Sequence, residues 1–284
     1  MKREEAMKLV ENGIAALNEA LRAGRSETLE RFLETLAKFH HYSFNNALLI
    51  ALQRPDATRV AGFHAWRKFG RCIKKGEHGI AILAPMARCK SQDKHETATN
   101  DRKETIFGFR VAYVFDVAQT EGEPLPAFAQ VNGDATGWLN HLEDAVRAEG
   151  VTLEYEHIDF PLGAKGISMP GAIMVAPSLP DSEKFAVLVH EFAHELLHQR
   201  SDRKQGMSKQ VLETEAEAVA YTVCRAFGID STTRSADYIQ LYRGTEDTLR
   251  ESLGCVQRTA THVIQLVRQR SEKQNEPTTA VLAA

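Results

Sequence analysis

Two histidines four residues apart, set in an apolar run, constrain this chain more than any other feature. The run is Phe185-Ala-Val-Leu-Val-His190-Glu191-Phe-Ala-His194-Glu-Leu-Leu-His198. On a helix, residues i and i+4 lie one turn apart on the same face, so His190 and His194 can reach one ion together. Glu191 sits about 100° round the helix from His190, within reach of a metal-bound water but outside the ligand set. A strand would send the two imidazoles to one face at twice the separation, so the spacing predicts a helix and, with it, the chemistry of a zinc-dependent hydrolase. Asp181-Ser182 is the expected N-cap with Glu183 in the first turn, and Phe185, Leu188, Val189, Phe192 and Leu196 make the helix apolar on most sides. A helix so apolar is buried, and a buried unpaired imidazole or carboxylate is costly. A metal would relieve that cost.

The third ligand has to come from another element. Val211, Leu212, Ala216, Val219, Ala220 and Val223 repeat at helical spacing and Gly228 ends the pattern, which predicts a second helix over 208–228. On it Glu213 and Glu217 share a face while Glu215 points away. Glu213 is read as the ligand and Glu217 as the carboxylate that orients a ligand imidazole. The spacing also permits the two to exchange roles. His198 is either a competing ligand or a helix-end imidazole beside Arg200, near the negative end of the dipole; the second is the expectation. Tyr221 or a histidine is the candidate for stabilising an oxyanion.

Charge divides the chain. Residues 1–120 hold 20 Lys/Arg against 14 Asp/Glu, and the remainder holds 15 against 24. Within 38–90 the count is 10 basic to 2 acidic. A basic N-terminal module therefore precedes an acidic C-terminal one. In the basic module, His40-His-Tyr42-Ser-Phe-Asn45-Asn46 and His64-Ala-Trp66-Arg67-Lys68-Phe-Gly-Arg71-Cys-Ile-Lys74-Lys75-Gly interleave aromatics with cations. Single strands are bound this way, phosphates by Lys and Arg, bases by stacking on exposed rings. The candidate DNA-binding residues are Tyr42, Asn45, Trp66, Arg67, Lys68, Arg71, Lys74 and Lys75. A basic surface with its aromatics in the core is the competing reading of the same text.

Helices are expected over 4–24, 26–39 (Ser26 as N-cap), 43–53, 62–69, 134–149 and 246–269. Strands are expected at 80–85, 105–115 and 151–158, with a hairpin or edge strand over 166–177. An antiparallel edge next to the histidine helix is suited to holding an extended peptide. Residues 90–104 read as a long hairpin tip. The expected fold class is α+β in two domains: 1–122, a helical and β-hairpin domain expected to bind single-stranded DNA; 123–136, a linker; 137–270, the metal-site domain, which the resemblance given next implies is a zincin-like metallopeptidase domain; and 271–284, a disordered tail. The four cysteines have neither metal-ribbon nor disulfide-framework spacing and read as reduced thiols. With no signal peptide and no apolar run long enough to span a bilayer, the expectation is a cytoplasmic protein without membrane partners.

The stretch from Tyr42 to Val60, Trp66, Gly70-Arg71, Lys74-Lys75-Gly76 and the stretch from Val114 to Gly122 resemble the N-terminal domain of ArdC-type antirestriction proteins. His190-Glu191-x-x-His194 with Glu213-x-x-Ala216-Glu217 resembles their metallopeptidase domain, text shared with the ImmA/IrrE group. The chain departs where many relatives have a Trp-Thr-Gly-type segment: Glu195-Leu-Leu-His198 stands there instead. The resemblance implies a plasmid or mobile-element protein, linked to conjugation, that binds single-stranded DNA, protects it from restriction and holds Zn2+ or another divalent ion such as Mn2+. A protein or peptide substrate is implied as a second partner. Two alternatives stand beside this reading, a zinc peptidase that cleaves a regulatory protein and a single-strand-binding replication accessory protein whose metal is purely structural.

Overall fold

The computed structural model describes residues 1–25, 27–89, 104–124, 135–156, 164–200, 207–230 and 245–275. Its contacts divide into two compact units, one of Met1–Gly13 with Asn45–Pro126 and one of Ile14–Phe44 with Ala127–Ala284.

The first unit is built on a three-stranded antiparallel sheet in the order β1-β4-β3, formed by β1 (Val60–Gly62), β3 (Ile80–Cys89) and β4 (Glu104–Asp116). The β3–β4 ladder runs from the Ile80–Val114 pair to the Cys89–Glu104 pair, with one irregularity at Met86/Ala87. The outer edge of β3 is closed by helix α3 (Phe44–Gln53). Asn46 and Gln53, two turns apart on one face, behave as a substitute strand. The Asn46 amide accepts from the Leu83 N–H at 2.8 Å and donates to its carbonyl at 2.9 Å. Gln53 does the same with Ala81, at 3.0 and 2.9 Å. Helix α4 (Phe63–Lys68) buries Trp66, and β2 (Arg71–Ile73) pairs antiparallel with β5 (Thr120–Gly122). That pairing needs a glycine at 122. The residue has φ +130°, and a Cβ there would lie 2.4 Å from the Gly70 carbonyl oxygen.

Asp116 organises the sheet's exit. It is 1% exposed, and its carboxylate accepts from the N–H groups of Thr58, Arg59 and Ala118 at 2.7–2.9 Å. The Gln119 side chain closes a capping box by accepting from the Asp116 N–H, around a single 3-10 turn, Val117–Gln119. The stretch from Val114 to Gly122 thus serves the backbone.

The second unit is mainly helical. Helix α2 (Glu27–Lys38), α5 (Ala135–Ala148), α6 (Asp181–His194), α7 (Lys209–Ala226) and α8 (Glu246–Asn275) surround a core that includes Phe32, Leu142, Phe185, Phe192, Val219, Phe227 and Ile264. α7 packs on α2, α6 and α8, so α2, expected within the N-terminal domain, packs on a helix of the C-terminal part. A small sheet in the order β6-β8-β7 completes the unit, from β6 (Thr152–Tyr155), β7 (Gly166–Met169) and β8 (Ala172–Val175). β6 and β8 are parallel, and β7–β8 is the expected hairpin, with β7 at an edge.

The expected helices and main strands form, with shifted ends. α6 starts at Asp181 itself and Pro180 takes the N-cap position, so Asp181 and Glu183 act as first-turn acids and cap nothing. α8 continues to Asn275, five residues into the stretch read as a tail, because Ser271 to Gln274 carry no helix breaker and Pro277 comes later. Ser26, the tip 90–103, most of the linker and 276–284 lie outside the described residues. Among those described, no helix is long and apolar enough to cross a membrane, and Cys72, Cys224 and Cys255 are free thiols.

Candidate metal centre

α6 and α7 lie side by side, and the helical period does the rest. His190 and His194 face α7 from successive turns of α6, and Glu213 and Glu217 face α6 from successive turns of α7. The Nε2 atoms of His190 and His194 are 3.1 Å apart, and the Glu213 Oε2 lies 3.5 Å from the first and 3.4 Å from the second. Among the described residues these three are the group able to hold a metal. The triangle has the right size. A tetrahedral ion with bonds of roughly 2.0–2.1 Å holds its ligand atoms about 3.3 Å apart. Two imidazoles and a carboxylate also suit a borderline divalent ion.

Glu217 lies outside the triangle. Its Oε2 is 3.1 Å from His190 Nδ1, the nitrogen turned away from Glu213. Of the two roles the spacing left open, Glu213 stands where a ligand would and Glu217 where an orienting carboxylate would. Burial works against a charge on His190, but bonds to Glu213 and Glu217 outweigh it and hold its pKa up at about 9. The same bonds from His190 and His194 hold Glu213 well below the usual carboxylate range.

Glu191 occupies the side of the site formed by β7. Its pKa is raised, first by burial and further by Glu213, against the pull of His190, His194 and a bond from the Ser168 backbone. The glycine at 166 lets β7 come this close: a Cβ there would sit 2.9 Å from Glu191 Cγ and 2.7 Å from Val187 Cγ1.

Beyond His194 the helix widens. Arg200 N–H bonds the carbonyl of Glu195, five residues back, so Glu195–Gln199 form one π-helical turn. This turn carries His198 inward, where it is 2% exposed. It stands outside the metal triangle, and the helix-end imidazole expected beside Arg200 is buried. Its Nδ1 lies 3.0 Å from His194 Nδ1, and its Nε2 lies 3.0 Å from Glu215 Oε2. Glu195, also buried, accepts from the Gly171 N–H in the β7–β8 turn and from Arg200. Tyr221 bonds Glu34 through its hydroxyl at 3.2 Å and lies under the Arg225 guanidinium, so it is engaged away from the histidines.

The residues proposed for DNA fall into different situations. Trp66 is 3% exposed and donates its indole N–H to the Phe115 carbonyl, so its ring is core and not a stacking surface. Arg71 is spent on Thr120, Gly122 and Glu123 across the β2–β5 pair. Lys74 is exposed and donates to the Ala118 carbonyl. Arg67, Lys68 and Lys75 are exposed, with Arg67 over the Phe63 ring. Tyr42, in the second unit, is half-buried against His41, and Asn45 is half-buried in the first. Among the described residues of the first unit, Phe63, Phe69, Phe107, Phe109 and Tyr113 are exposed. Phe107, Phe109 and Tyr113 stand two and then four residues apart, an even spacing along β4 that is the trace these three leave in the sequence.

Residues 4–115 match the family model of the N-terminal domain of anti-restriction factor ArdC. An uncharacterized protein of Bacillus anthracis is 25% identical over 72% of this chain, and the chain spans 41% of that relative's length. The metal-free crystal structure of the antirestriction protein ArdC from plasmid R388 aligns with a TM-score of 0.50 at 18% identity, over 82% of this chain and 86% of that one. Its Mn(II)-bound structure aligns at 0.49 and 17% identity, over 81% and 85%. Residues 4–115 thus match the ArdC N-terminal domain, and the R388 protein shares the fold of the chain.

Proposed function

We propose that this chain is a single-stranded-DNA-binding antirestriction protein of a plasmid or mobile element whose second unit is a divalent-metal peptidase. The observation that carries the peptidase half is the triangle of His190, His194 and Glu213, sized for a tetrahedral ion and flanked by Glu191. Zn2+ or Mn2+ held there would polarise a water and a peptide carbonyl. Glu191, whose buried carboxyl is easier to protonate than a free one, takes the proton from the attacking water and hands it to the leaving amine. The β7 edge offers main-chain groups to an extended peptide. Support for the DNA half is the family of residues 4–115, together with exposed cations and rings in one unit, among them Arg67, Lys68, Lys75, Phe63 and Phe69.

Glu191→Ala separates the two halves. It should lower peptide cleavage by about 10²–10⁴-fold while metal content and single-strand affinity stay at wild-type level. A variant that still cleaves removes Glu191 from the chemistry. One that no longer cleaves yet fully protects DNA in a transformation assay assigns protection to strand coating and leaves the peptidase a separate activity.

A further inference from the structure

His198 and Glu215 are the most deeply buried ion pair among the described residues, each side chain 1% exposed. Neither belongs to the metal triangle, and a buried imidazole–carboxylate pair is a poor source of stability. What the pair touches gives it a use. His198 Nδ1 is 3.0 Å from His194 Nδ1, the nitrogen of His194 opposite the one facing Glu213.

A neutral imidazole has one donor nitrogen and one acceptor, and an ionised carboxylate only accepts. Glu215 therefore draws the His198 proton to Nε2, and His198 Nδ1 is left as an acceptor. His194 must then donate from its own Nδ1, which leaves its Nε2 lone pair directed into the triangle. Glu217 stands in the same relation to His190 in a single step, accepting from Nδ1 and leaving Nε2 to face the triangle. Glu215 lies midway between Glu213 and Glu217 on α7, so it faces away from the triangle and cannot reach His194 itself. The π-helical turn brings His198 into the gap.

We infer that Glu215, acting through His198, is a positioning pair that sets the tautomer of His194 and so prepares it as a metal ligand. The inference rests on the metal reading given above. It makes both histidines of the triangle carboxylate-oriented, one directly and one through a second imidazole. Partners of this kind typically contribute 10–100-fold to metal affinity.

The full chain, labelled with 15N at histidine and free of metal, tests the relay. Long-range 1H–15N spectra should show His198 protonated at Nε2 and His194 at Nδ1. His198→Leu should weaken binding of Zn2+, titrated alone, by about 10–100-fold and blur the His194 tautomer. His198→Gln keeps an acceptor for His194 and a donor for Glu215, and should recover most of that loss. Glu215→Gln, nearly isosteric, removes the charge that polarises the chain and should shift the His198 tautomer and weaken the metal several-fold even if His198→Leu fails to fold. A His194 protonated at Nε2 in the wild-type chain overturns the relay, as does Zn2+ affinity within twofold of wild type in both His198→Leu and Glu215→Gln. Wild-type protein with the tautomers as described but no affinity for Zn2+ or Mn2+ upholds the relay and overturns the metal reading.

Discussion

Each unit holds a cluster of buried or half-buried polar side chains, and the two clusters are spent differently. In the first, Asn46, Gln53, Asp116 and Arg71 bond mostly to backbone groups: a strand edge, a turn, the carbonyls of β5. Each replaces a main-chain partner that the local fold lacks. In the second, His190, His194, His198, Glu213, Glu215 and Glu217 bond to one another. No backbone group depends on those contacts, and a hydrophobic cluster of the same volume would hold α6 against α7 as well or better. Polar groups that complete the backbone are architecture. Polar groups that complete each other, in a core, need a function to explain them.

The largest expected effect tests the architectural side. Asp116→Ala leaves the N–H groups of Thr58, Arg59 and Ala118 without their acceptor, in a place where Asp116 itself is inaccessible to solvent. At roughly 1–3 kcal/mol for each buried group left unsatisfied, and with water reaching some of them, the loss should be about 3 kcal/mol, read by chemical denaturation. Zn2+ affinity should not change. If Asp116→Ala alters metal binding as much as stability, the division between architectural and functional polar groups fails.

Removing the proton from His190 probes the other side. Its folded pKa of about 9 lies above its ordinary 6.5, so the stabilisation it gives the metal-free chain is full below 6.5 and is lost as pH rises through about 9. Glu213 is shifted down, so its contribution is present above the ordinary carboxylate range and is lost as pH falls below it. The pair therefore stabilises the metal-free protein between about pH 4.5 and 9. A metal must displace the His190 proton, so affinity should rise by up to about tenfold per pH unit and flatten near pH 9, with close to one proton released below that. Calorimetry in two buffers of different ionisation heat measures the release. Affinity independent of pH between 6 and 8 would mean that His190 is already neutral.

Much of this site is legible in the sequence because the α-helix has a fixed period. His190 with His194, and Glu213 with Glu217, follow from i, i+4 spacing alone. The period breaks at Glu195–Gln199, where a π-helical turn re-aims His198, and no residue type announces such a turn. Glu215, read as pointing away, does point away from the triangle and finds His198 there. In the first unit the text shows which residues are aromatic or basic but not which way they face. Trp66 sits in an α4 of six residues, too short for its buried side to show as a period, and Asn46, next to the chosen Asn45, holds the sheet edge. β2 and β5 have three residues each, too few for an alternation, and the grouping of α2 with α7 depends on contacts nearly two hundred residues apart.

The smallest effect sharpens the comparison within the first unit, where Arg71 and Lys75 look alike as text. Arg71 reaches the Thr120 hydroxyl at 2.7 Å and the carbonyls of Thr120, Gly122 and Glu123, so its charge already serves the β2–β5 pair. Lys75 is exposed, two residues beyond the end of β2. Counterion release ties each phosphate contact on a single strand to about 0.7 in the slope of log affinity against log salt. Lys75→Ala should reduce that slope by about 0.7 at unchanged stability. Arg71→Ala should destabilise the unit by about 1–2 kcal/mol, the range for losing hydrogen bonds made by a charged group at a half-exposed site, and leave the slope nearly as it was. Were Arg71→Ala to flatten the salt dependence while Lys75→Ala left it alone, a side chain bonded to backbone would also be a DNA contact, and the rule drawn from the two units would need to give way at that position.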